Sequence, residues 1–114
     1  MDIEVTETAP GRALKVALRG RLDTAGVDRV ETRFMAAVVA QSRNAIVDLG
    51  AVELLTSMGI RMVISAARAM SARHTKLVLF GAQPLVQEVL ETAAIDSLVA
   101  VVPSEAEALA LVVA

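Results

Sequence analysis

The chain contains no cysteine, tryptophan or tyrosine, and only two phenylalanines, three prolines and one histidine. Without cysteine there can be neither disulfides nor thiolate metal sites, a composition that suits a reducing compartment. With so few aromatic side chains, the stacking platforms that hold single-stranded nucleic acid are missing. Excess charge of one sign is lacking as well. Eleven basic and thirteen acidic residues are interspersed and leave a formal charge of -2. The basic footprint of a nucleic-acid binder is therefore absent, and no direct contact with RNA or DNA is expected. No uninterrupted apolar run approaches the ~20 residues that cross a bilayer. The opening "MDIEVTETAPGR" is acidic where a secretory signal needs a basic segment followed by an apolar one. Neither membrane insertion nor export is expected, which leaves the cytoplasm as the expected location.

What is present is a high apolar fraction, 55% of 114 residues, much of it alanine and valine. This length fits one domain, expected to span residues 1–114, that buries roughly two-thirds of the surface its unfolded chain exposes. "DIEVTET" alternates Ile3 and Val5 with Glu4 and Thr6, and "ALKVALRG" alternates Leu14, Val16 and Leu18 with Lys15, Ala17 and Arg19. With the turn signal "APG" between them, the two runs predict a hairpin. From Thr24 the period changes. Val27, Val30, Phe34, Ala37 and Val38 recur at helical spacing, with Asp23 or Thr24 as the natural N-cap.

"NAIVDLG" then predicts a strand covered on both faces and ending at Asp48 and Gly50. Ile60, Val63, Ile64, Ala67 and Met70 predict the inward stripe of a second helix, and "KLVLFGAQP" another buried strand. "PLVQEVLETA" predicts a third helix with Leu85, Val86, Val89 and Leu90 inward and Pro84 in its first turn. "SLVAVV" predicts the last strand, and "SEAEALALVV" the last helix, with Ser104 and Glu107 spaced as a capping box. The order ββαβαβαβα implies an α/β fold: a mostly parallel mixed sheet with an N-terminal hairpin and about four helices.

In open α/β sheets, sites gather beyond the carboxyl ends of strands, which selects the segments "GRLDT" and "GAVELLTSMG". The second puts Thr56, Ser57 and Gly59 where a strand run meets a helix run. Thr56 or Ser57 can be simply the helix N-cap. Gly59 in a first helical turn costs about 1 kcal/mol relative to alanine, which points to close backbone approach or to partner access. Met58 and Met62, one turn apart, offer either a soft docking surface or gap-filling in the core. Asp23 and Asp48, at strand ends, offer either partner contacts or plain roles as a cap and as a loop-stabilising acceptor, the plain roles being the commoner.

Catalytic constellations are missing. The Gly-x-Ser-x-Gly elbow fails because Leu55 stands where its first glycine belongs, and no acid lies between Ser57 and His74. There is no phosphate-binding loop, and a lone histidine without cysteine gives no metal set. Neither enzymatic activity nor a cofactor is expected.

"NAIVDLGAVELLTSMGIRMVI" resembles the signature of STAS domains of the bacterial anti-sigma factor antagonist family. "LRGRLDTAGVDRVE" and "LVLFGAQPLVQEVLETAAIDSLVAVVPSEAEAL" are similar to segments of the same family, in the same order. The resemblance implies a partner switch. A kinase that is also the anti-sigma factor phosphorylates the serine matching Ser57, the unphosphorylated antagonist binds that kinase, and a serine phosphatase resets it. It implies partner contacts at Asp23, Thr24, Thr56, Ser57, Met58, Gly59, Arg61 and Met62, and a monomer or weak dimer. Relatives commonly carry Asp or Ser where this chain has Thr56, which makes Thr56 an alternative acceptor, and Gly59-Ile60-Arg61 stands where many antagonists have Gly-Leu-Gly. Standalone STAS subunits also accompany membrane lipid transporters of the ABC type, and a small-ligand-binding α/β protein is a rival of a different class.

Overall fold

The computed structural model describes residues 1–9 and 13–112. The expected turn at Pro10-Gly11 lies outside them. Strands β1 (Asp2–Ala9) and β2 (Ala13–Leu22) pair antiparallel, as the two alternating runs predict. Helix α1 (Thr24–Val38), β3 (Asn44–Leu55), α2 (Ser57–Ala72), β4 (Leu77–Phe80), α3 (Pro84–Thr92), β5 (Ala100–Val102) and α4 (Glu105–Val112) follow. The sheet has the order β1-β2-β3-β4-β5, and every pair after the first is parallel. Expected class and element order are therefore observed. Within the last βα unit the strand is shorter than "SLVAVV" suggests, because Ile95–Ser97 form a 3-10 turn.

The sheet has two unequal faces. Leu14, Val16, Leu18, Val47, Leu49 and Leu79 form the main core with the inward stripes of α1, α2 and α3. Ala13, Ile46, Val78 and Phe80 point the other way and form a smaller cluster with Ala108 and Val112 of α4, flanked by Val102 and Leu109. All four residues of β4 are buried, which explains why its sequence is apolar without alternation. Helix α4 is held by an ion pair of 2.8 Å between Lys15 Nζ and Glu105 and by the Asn44 amide donating to the Val112 carbonyl. At its start the Glu107 N–H donates to the Ser104 hydroxyl, half of the expected box.

Three local expectations are corrected. First, β3 does not end at Asp48 and Gly50. Its pairing with β2 steps from Ala17↔Asp48 to Arg19↔Ala51, a bulge in which the Asp48 carboxylate accepts the Gly50 N–H at 2.8 Å. Beyond it the strand runs on to Leu55 through a second shift, from Gly20↔Val52 to Arg21↔Leu54, which lets Val52 and Leu55, three residues apart, both be buried while Glu53 is exposed. Second, α2 is turned about one position from the expected stripe. Gly59, Met62, Val63, Ala66 and Met70 are its buried line, and Ile60, Ile64 and Ala67 lie half-buried along the flank. Third, Leu85 is 74% exposed, because the nine-residue α3 buries the line Val86 and Leu90 and turns Leu85 outward. On β1, Ile3 is buried, whereas Val5 lies outside the core at the edge of the sheet.

Candidate partner-binding site

The bulge has a consequence for the site. Because β3 continues to Leu55, its last residue pairs with Leu22, the last of β2. The starts of α1 and α2 therefore lie side by side, which brings the Asp23 and Ser57 segments together. Asp23 is the N-cap of α1, and its Oδ1 accepts the Gly26 N–H at 2.8 Å. That hydrogen bond, followed by the nearby Arg21 guanidinium at 3.5 Å, holds the Asp23 carboxyl below its ordinary range. A side chain at Gly26 would collide with the Arg21 carbonyl, so the turn closes only on glycine.

Thr56 occupies the N-cap position of α2 without capping it. Its hydroxyl donates instead to the Leu22 carbonyl at 2.7 Å, and its own N–H reaches the same oxygen at 3.2 Å. One backbone carbonyl at the end of β2 thus anchors the start of α2. Ser57, the next residue, is exposed, and its hydroxyl has no hydrogen-bond partner among the described residues. No side chain caps the first turn of α2, so its leading N–H groups face outward beside Ser57.

The remaining expected contact residues divide. Thr24 and Arg61 are exposed, and Met58 is half-buried against the core. Gly59 and Met62 are interior. A Cβ on Gly59 would stand 2.7 Å from Leu55 Cδ1, 3.0 Å from Leu22 Cβ and 3.1 Å from the Leu22 carbonyl oxygen, so close approach explains this glycine. Met62 is 1% exposed and fills the core, which removes it from any docking surface. Sequence reasoning missed the Leu22 carbonyl, a backbone atom without a side-chain signature. It also missed a groove of about 470 Å³ between the end of β3, α2 and α3, whose lining includes Leu54, Ile60, Leu85 and Val89. No signal in the sequence marked it, because helical spacing places Leu85 on the inward line and only packing turns it outward.

His74, the sole histidine, is exposed in a turn after α2 with φ 62°, away from these segments. Among the described residues no three His, Asp or Glu side chains gather as metal ligands. No helix among them is long and apolar enough to cross a membrane.

The fold and this junction define a class. The STAS domain pattern matches residues 2–108, and the chain belongs to that family. BtrV of Bordetella bronchiseptica, named for an anti-sigma factor antagonist, is 31% identical over 78 residues, 68% of this chain and 67% of its own length. An anti-sigma-factor antagonist (STAS) domain protein from Planctomyces limnophilus superposes with a TM-score of 0.86 at 25% identity, over 100% of both chains. The anti-sigma factor antagonist SpoIIAA in its unphosphorylated form gives a TM-score of 0.77 at 17% identity, covering 95% of this chain and 93% of its own. At that identity the likeness speaks to the fold. The family resemblance read from the "LLTSMGIR" region and its neighbours is thereby met.

Proposed function

We propose that this STAS domain is an anti-sigma factor antagonist that works by partner switching. Unphosphorylated, it binds an anti-sigma factor that is also a serine kinase. Phosphorylation of Ser57 releases it, and a serine phosphatase restores the binding form. The protein is a binding module and a kinase substrate in the cytoplasm, with no catalytic role of its own.

The observation that carries this reading is the contrast between two adjacent hydroxyls. Thr56 spends its proton on the Leu22 carbonyl, whereas the Ser57 hydroxyl is free and exposed. This favours Ser57 over Thr56 as acceptor, since a kinase must seat the hydroxyl without dismantling the junction that presents it. Phosphate at the first position of α2 meets uncapped N–H groups and the positive end of the helix dipole, so the fold tolerates it. A partner lying over Ser57 and Met58 would not. Burying about -1.5 to -2 charges without compensation costs several kcal/mol, and even ~3 kcal/mol lowers affinity roughly a hundredfold. On this reading Asp23, Thr24, Met58 and Arg61 frame the contact, and Thr56 holds the frame.

Incubation with the cognate kinase and ATP, followed by mass spectrometry, tests the assignment. Phosphate is expected on Ser57, with none on S57A. Phosphate on Thr56, or on neither residue, overturns it. In a binding assay S57E is expected to weaken the kinase complex by roughly a hundredfold.

A further inference from the structure

The groove beside α2 has no role in the switch just described, and its chemistry is particular. Leu54 at the end of β3, Ile60 on α2 and Val89 on α3 line it, and Leu85 stands at α3 with 74% of its surface exposed. Two carboxylates, Glu53 on β3 and Glu88 on α3, belong to the same lining, and no lysine or arginine does. Neither carboxylate makes an ion pair or hydrogen bond among the described residues. The fourth helix cannot cover the groove, because it packs on the opposite face of the sheet.

We infer that this groove is a docking site for an amphipathic helix of a partner protein whose apolar stripe is flanked by lysine or arginine. Helices seat in apolar grooves through side chains spaced at i, i+3, i+4 and i+7, and Leu54, Ile60, Leu85 and Val89 provide the facing surface. Electrostatics selects the flank. Glu53 and Glu88, unpaired in the free protein, are complementary to cations and repel an acidic helix. The same carboxylates disfavour a fatty acid, whose headgroup would meet like charge. A second copy docked isologously would gather four carboxylates in one interface with no cation from the lining to offset them, so self-association through this face is disfavoured too.

The inference concerns the groove alone and does not depend on modification of Ser57. The test is titration of isotope-labelled protein with an 18-residue designed helix of leucine and lysine, compared with its leucine and glutamate counterpart and with laurate. The lysine peptide is expected to give saturable amide shifts at Leu54, Ile60, Leu85 and Val89, with little response to the other two probes. E53Q/E88Q is expected to weaken binding three- to tenfold. L85D, which changes an exposed side chain in the first turn of α3, is expected to weaken it at least tenfold without lowering the melting temperature. S57A is expected to bind like the wild type. Equal binding of the glutamate peptide, laurate binding in place of the lysine peptide, shifts scattered outside the groove, or an unchanged affinity in L85D would each overturn the proposal.

Discussion

Gly59→Ala is the substitution in which helix propensity and tertiary packing make opposite claims. In an isolated helix it stabilises by about 1 kcal/mol, since alanine loses less backbone entropy than glycine. Here the new methyl would stand 2.7 Å from Leu55 Cδ1 and 3.0 Å from Leu22 Cβ. Leu55 Cδ1 is the end of a flexible side chain and can turn aside. Leu22 Cβ cannot, because β2 is paired to β3 at that residue. Relief therefore requires α2 to lift from the sheet, and overpacking of this kind typically costs about 1 to 3 kcal/mol. Lifting also stretches the 2.7 Å bond from Thr56 to the Leu22 carbonyl, whose net worth is ~1 kcal/mol. After the propensity gain is set against these losses, a net destabilisation of about 2 kcal/mol remains. For a domain of this size that lowers the melting temperature by roughly 8 °C. Urea denaturation and calorimetry measure it directly. A melting temperature unchanged or raised would refute the close approach of α2 to β2, and with it the account of how Ser57 is held.

The other predictions concern neighbouring groups. Thr56→Val keeps the shape and removes the donor, and is expected to cost about 1 kcal/mol, while Thr56→Ser restores most of it; urea midpoints of the three proteins decide. Met62→Ala should cost about 2 to 5 kcal/mol as a core truncation, whereas Arg61→Ala should change stability by less than ~0.5 kcal/mol; equal effects would contradict the rotation of α2. Asp23 has a lowered native pKa, so its contribution to stability is fully present above its unfolded value near ~3.9 and is lost as pH falls through the depressed native value. Asp23→Asn caps about as well at neutral pH but does not titrate, so its stability is expected to fall less between pH ~5 and ~2 than that of the wild type in pH-dependent urea unfolding.

Much of the architecture is legible without coordinates. The change from period two to period 3.6 at Thr24 separates the hairpin from α1, and all five expected inward residues of that helix are buried. Asp23 at the cap of α1 follows from residue type and position, because capping is local chemistry, whereas the side-chain cap expected at Thr56 or Ser57 does not form, since the Thr56 hydroxyl goes to the Leu22 carbonyl instead. Less legible was the end of β3. Gly50 reads as a terminator, yet a bulge lets the strand continue, and that extension is what sets Leu55 beside Leu22.

The sequence by itself determined the α/β alternation, the order of elements and the family, because each rests on patterns that span a few residues. Only the tertiary structure decided that Met62 is core, that Leu85 stands exposed over an acidic-rimmed groove, and that Thr56 is tethered while Ser57 is free. The rotation of a helix about its axis is set by what packs under it, here the contact of Gly59 with Leu22 and Leu55. The partner of the Thr56 hydroxyl lies 34 residues away in sequence, and no local pattern carries that information.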